Sequence, residues 1–158
     1  MPRKGLVKPR EVEPDPLYKN RLLAKLINAS MRDGKKSVAQ REIYEALSLI
    51  KEKGDDPISV FSKALENIKP VTEVRPRRVG GAAYQVPIPV KGKRKESLAI
   101  RWLVAAARSR SNSGFKTYAD KVAAEILDAS NGEGGAVKKR QEIERIAEAN
   151  RAFSHFRW

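Results

Sequence analysis

The sequence predicts a mainly α chain: a six-helix single domain with a protruding two-stranded antiparallel β-ribbon and an extended N-terminal arm. Three observations carry that expectation. Apolar residues recur at three- and four-residue spacing in stretches bounded by capping residues, glycine and proline. A β-branched segment with a Gly-Gly centre interrupts them near the middle of the chain. The first fourteen residues show no periodicity and contain Pro2, Pro9 and Pro14. The expected boundaries are an arm over 1–14 and a domain over 15–158, with the ribbon at about 72–90. At 158 residues and 41% hydrophobic, the chain suits one core without covalent staples.

Each element follows from its own residues. Asp15-Pro16 offers a cap and a first-turn proline, after which Leu22, Leu23, Leu26, Ile27 and Met31 mark a first helix that stops at Asp33-Gly34. Ala39, Ile43, Ala46, Leu47 and Ile50 mark a second, ending near Gly54. Asp56-Pro57 repeats the start signal, and Phe61, Ala64, Leu65 and Ile68 form a third stripe up to Pro70. Val71–Val74 and Tyr84–Val90 read as two strands around Gly80-Gly81. Pro76, Pro87 and Pro89 cannot donate to a ladder, so the pair is expected to stand alone with a helix at its base. Leu98, Ala99, Trp102, Leu103, Ala106 and Ala107 define the fourth helix, and Tyr118, Val122, Ile126 and Leu127 the fifth. The sixth is expected from about Gly135 through Ile143, Ile146 and Ala147 to the aromatic end at Phe153, Phe156 and Trp158.

Charge is placed, not scattered. The formal net charge of +14 resides in two segments: residues 1–10, with Arg3, Lys4, Lys8 and Arg10 and no acid, and residues 69–116, where twelve bases face only Glu73 and Glu96. The remaining segments balance. A concentrated basic surface gains affinity by releasing counterions from a phosphate backbone, which makes nucleic acid the leading partner.

Other classes are excluded by what the sequence lacks. It has no cysteine, which removes disulfides and thiolate chemistry, and His155 is the sole histidine, so no histidine cluster can hold a metal. Neither a catalytic constellation nor a cofactor is expected. Gly34-Lys35-Lys36 fails as a phosphate loop, because Ala29 stands where the Walker pattern needs glycine and Lys36 where it needs Ser or Thr. With no apolar run long enough for a signal peptide or a span, the expectation is a cytoplasmic chain with no membrane partner.

The candidate contacts fall into groups, each with a plain alternative. Lys35 and Lys36 open a helix, where the dipole adds to their charge; the alternative is a solvated turn. Arg75, Arg77 and Arg78 crowd one strand and repel one another unless an anion lies between them; the alternative is a charged edge that prevents aggregation. Tyr84 either stacks on a base or packs on the fourth helix. Lys91, Lys93, Arg94 and Lys95 form a basic turn, Arg101 and Arg108 lie off the apolar face of the fourth helix, and Arg110 and Lys116 flank a serine-rich loop. Lys138, Lys139 and Arg140 are placed in the first turn of the last helix, where cations oppose the macrodipole; a solvated face competes with an anion partner there.

The stretch Val74-Arg75-Pro76-Arg77-Arg78-Val79-Gly80-Gly81-Ala82-Ala83-Tyr84-Gln85-Val86-Pro87 resembles the hairpin of the bacterial family of small-subunit ribosomal protein number seven. Met31–Ser37, Ala99–Val104, Gly135–Arg140 and Ala147–Phe153 resemble the same family, in its order and spacing, from about residue 15 to the end. The resemblance implies binding of small-subunit ribosomal RNA at a multi-helix junction of the 3′ major domain and early assembly of the subunit head. It places the ribbon tip, Val79, Gly80, Gly81 and Ala82, near exit-site tRNA and messenger RNA. It implies ribosomal proteins number eleven, nine and thirteen as neighbours, no catalysis and no obligate homo-oligomer. The segment Ser109–Lys116 departs from it, being less basic and richer in serine. From the residues alone, an architectural DNA-binding protein using the ribbon in a minor groove stands as the alternative.

Overall fold

The computed structural model describes Gly5 and residues 11–156; Arg3, Lys4, Lys8, Arg10 and Trp158 lie outside the described residues. Its elements are α1 (Arg21–Ser30), α2 (Lys36–Glu52), α3 (Pro57–Ile68), β1 (Thr72–Val79), β2 (Ala82–Pro89), α4 (Lys93–Ser109), α5 (Tyr118–Ser130), α6 (Gly134–Ala149) and a closing 3-10 turn, Arg151–Phe156. Among the described residues, six α-helices and one antiparallel strand pair therefore answer the expectation.

The helices begin where short polar side chains satisfy free backbone donors. Asp56 accepts from the N–H groups of Ile58 and Ser59, with Pro57 following in the first turn. Thr117 and Asp120 form a reciprocal capping box at α5. The start of α1 corrects the sequence expectation. Asn20, not Asp15, caps that helix by accepting from Leu22 and Leu23. Asp15 closes a separate turn, accepting from the N–H groups of Leu17 and Tyr18 and from the Tyr44 hydroxyl at 2.8 Å. Lys19, at φ 50°, separates the two. A buried Asp needs such donors, and of these three the Tyr44 hydroxyl holds the entry of the chain against α2.

α5 packs against α2, α3, α4 and α6. Its Val122, Ile126 and Ala129 meet Phe61 and Leu65 of α3, Ile43 and Leu47 of α2, and Leu103 and Ala107 of α4 in one buried cluster. Small residues on α4 and α5 let these helices approach closely. Asn67 of α3 donates to the carbonyls of Ala129 and Ser130, satisfying the C-terminal end of α5.

The ribbon runs from the pair Thr72 with Pro89 to the pair Val79 with Ala82. Gly80 and Gly81 turn it with φ of 59° and 89°; two successive positive values are what a two-residue hairpin of matching twist requires. At its root Val86 and Val90 are buried, and the Val71 N–H donates to Glu144 of α6. Two further corrections concern the C-terminus. α6 ends at Ala149, and the aromatic tail forms the separate 3-10 turn that packs on β2. Phe153 and Phe156 place their rings 5.1 and 5.4 Å from that of Tyr84. Tyr84 thus packs on the C-terminal turn and not on α4, a partner more than sixty residues away that no local pattern reveals.

Candidate nucleic-acid interface

α4 is the spine of the basic surface. Arg94, Arg101 and Arg108 are spaced seven residues apart, which returns each to nearly the same side of an α-helix, and all are exposed. From the first to the last, the stripe extends about 21 Å at the usual helical rise.

The stripe begins at the ribbon. Arg94 donates through Nε to both oxygens of Glu73, at 2.8 and 2.9 Å, and Arg75 donates through Nε to the same carboxylate at 2.7 Å. Burial opposes the charge of Glu73, but hydrogen bonds from Arg94 and then Arg75 outweigh it and hold the carboxyl below its ordinary range. Lys93 lies 3.6 Å from Glu11, tying the start of α4 to the last residues of the expected arm. Lys91 is exposed, Lys95 half-buried, Arg77 half-buried and Arg78 exposed.

Further along, Arg101 and Arg108 line a groove with Val12, Lys25, Ser97 and Val104. Arg108 also borders a second groove, whose walls include Arg32, Lys35, Val38, Lys116, Tyr118 and a single acid, Glu42. One Nη of Arg108 donates to the carbonyl of Ser30 at 3.1 Å, which fixes the guanidinium over the end of α1 without neutralising it. Three distant chain segments, the α1–α2 turn, the end of α4 and the start of α5, thereby present cations to one concavity. Lys36 is exposed in the first turn of α2 beside it in sequence.

Two groups are placed differently from the sequence expectation. Lys138, Lys139 and Arg140 lie in the second turn of α6, since the helix starts at Gly134, so they do not crowd its positive end. Lys139 pairs with Glu142 at 2.8 Å and Arg140 lies 3.8 Å from Glu144. Arg110 is turned inward. Its Nε donates to Glu125 at 2.7 Å and its Nη2 to Asp128, and only 17% of its side chain is exposed. Burial opposes the guanidinium's charge, yet Asp128 and Glu125 hold its pKa above the ordinary value.

Glu125 is the centre that sequence reasoning missed. It is 1% exposed and also accepts the Ala136 N–H at 2.8 Å, closing the first turn of α6. Beside it the buried Lys121 donates to the Arg110 carbonyl and to Asn112, each at 2.6 Å. A signal existed: Glu125 stands three residues after Val122 and four before Ala129, on the apolar face of α5. Arg32, Lys25 and Glu73 were likewise unassigned, although Arg32 adjoins the Gly34-Lys35-Lys36 turn.

Comparison with known proteins gives the chain its relatives. The family model described as ribosomal protein S7p/S5e matches residues 2–151. The chain belongs to that family. It is 58% identical to the small ribosomal subunit protein uS7 of Caldicellulosiruptor bescii, 57% to that of Thermodesulfovibrio yellowstonii and 55% to that of a Sulfurihydrogenibium species, each over the whole of both chains. These relatives are proteins of the small ribosomal subunit, a family not known to be enzymatic. No helix of the described residues is long and apolar enough to cross a membrane.

Proposed function

We propose that the protein is an RNA clamp of the small ribosomal subunit, bound to ribosomal RNA through the α4 stripe, the ribbon root and the two grooves. The observation that carries this reading is the seven-residue arginine spacing on α4, which joins Glu73-held Arg75 at one end to the Arg32, Lys35 and Lys116 concavity at the other. RNA junctions crowd phosphates whose repulsion opposes compaction, and a rigid helix carrying cations along about 21 Å neutralises several strands at once. Membership of the family supports the partner. We place the contact at a multi-helix junction of the 3′ major domain, where docking nucleates the head, with the ribbon tip toward exit-site tRNA and messenger. Proteins number eleven, nine and thirteen are the proposed neighbours, and the arm, residues 1–14, adds contacts beside the domain formed by 15–158.

The test is replacement of Arg94, Arg101 and Arg108 together by alanine. Binding to the junction RNA should weaken, and the slope of log affinity against log salt should flatten by about 2 to 3, at roughly 0.7–0.9 per lost phosphate contact. An unchanged slope with an intact fold rejects α4 as the contact surface. Duplex DNA competing equally with the junction RNA would instead favour minor-groove architecture.

A further inference from the structure

Glu73 is out of character for its surroundings. It is one of two acids in residues 69–116, and it is 7% exposed although it sits on the cationic ribbon. A carboxylate withdrawn from water must be held by donors, and here the donors are two arginines from different elements. Arg75 lies two residues along β1, on the same face of the strand, while Arg94 comes from the first turn of α4. Oε1 of Glu73 lies 2.7 Å from Nη2 of Arg75 and also accepts from Nε of both arginines. The guanidinium-bearing side chains stay 46% and 50% exposed. Each guanidinium has five N–H donors, and Glu73 engages only Nε of Arg94 and one edge of Arg75. Among the described residues the remaining donors meet no other carboxylate, which leaves them to an external oxyanion.

We propose that Glu73 is a positioning residue for RNA: it sets Arg75 and Arg94 side by side as a preformed receptor for backbone phosphate where the ribbon leaves the body. The inference rests on the RNA-binding reading above. Its physical content is a trade. Glu73 lowers the local charge by one unit, which weakens attraction to any polyanion, but it fixes two long side chains before binding, so their rotamer freedom is lost on folding and not on association. Long-range attraction is common to every RNA, whereas fixed geometry favours the one RNA whose phosphates match it.

The two effects predict opposite signs for Glu73→Gln. If Glu73 were only an unfavourable charge, its removal would tighten binding to all RNA. Positioning predicts instead that affinity for the folded junction RNA falls about tenfold, the scale of one charge-assisted hydrogen bond, while affinity for poly-uridine at the same salt stays level or rises. Positioning also predicts that Glu73→Gln adds little once Arg75 and Arg94 are both alanine, a coupling that a double-mutant cycle reads directly. Arg94→Lys offers a second probe. It keeps the charge but loses the planar fork, and should reproduce the selective loss on junction RNA. Junction binding that is unchanged or tighter in Glu73→Gln, or equal losses on both RNAs in folded protein, would overturn the proposal. Should Glu73→Gln not fold, unchanged junction affinity in Arg94→Lys would overturn it as well. If the Arg75 and Arg94 double alanine variant binds the junction normally, the RNA reading of the ribbon root has failed and not the positioning step alone.

Discussion

The α4 stripe and the α5–α6 junction are both built on arginine, and they put it to opposite uses. Arg108 and Arg110 stand two residues apart in sequence. Arg108 gives one hydrogen bond to the Ser30 carbonyl, which satisfies a donor but leaves the charge to the surroundings. Arg110 gives its donors to Glu125 and Asp128, which cancel its charge and pin the loop after α4 to the start of α6. The difference lies in the partner. A neutral carbonyl orients a cation for use by a ligand, whereas a buried carboxylate consumes it. Glu73 stands between these cases, because it engages two arginines whose side chains stay about half exposed.

The sharpest way to break this contrast is to exchange the outcomes. Arg110→Ala leaves Glu125 buried without its cation, and equilibrium denaturation should show a loss of about 3–5 kcal/mol, the usual result of removing one partner of a buried pair. Per folded molecule, RNA affinity should hold. Arg108→Ala should do the reverse, changing stability by about 1 kcal/mol or less while weakening RNA binding and its salt dependence. If Arg110→Ala flattened the salt slope as Arg108→Ala does, the two arginines would not differ in kind.

A smaller effect is expected at Gly134. Its φ is 90°, and a Cβ there would lie 2.9 Å from Oε1 of Glu125. Gly134→Ala should therefore strain the backbone and push the carboxylate from Ala136, costing about 1–3 kcal/mol. A stability equal to the parent's would mean that Glu125 has room to move and is not the pin described.

The smallest effect is one of acidity. Glu73 has a depressed carboxyl pKa in the folded protein, so its contribution to stability is complete above its unfolded value and fades as pH falls through the folded one. Between neutral pH and the region below about 4.3, the ordinary Glu value, the parent should lose more stability than Glu73→Gln does. Parallel curves would show that the Arg75 and Arg94 bonds add nothing to the fold.

Most helices were legible because local rules and burial agree in them. Asp56-Pro57 at α3 and the Gly80-Gly81 turn are local signals, and the structure uses both as expected. Asp15 misled because an acid before proline is a good cap in isolation, whereas here Tyr44 of α2 draws it into a different turn. Lys138–Arg140 gave a false conflict with the helix dipole because the helix begins a full turn before them, at Gly134, and Glu125 accepts the N–H of Ala136 in that first turn. Tyr84 found Phe153 and Phe156, a partner that only chain closure brings within reach.

By itself the sequence determined the order of the six helices and the ribbon, its two-glycine tip, the location of excess charge and the family. These depend on period, capping and composition, which act over a few residues or are sums along the chain. Which cations stay exposed and which are paired inward was decided only by the tertiary structure. Whether a guanidinium stays half exposed or becomes a structural rivet depends on the carboxylate that folding brings beside it, and Glu73 reaches Arg94 across twenty-one residues of chain, Glu125 Arg110 across fifteen.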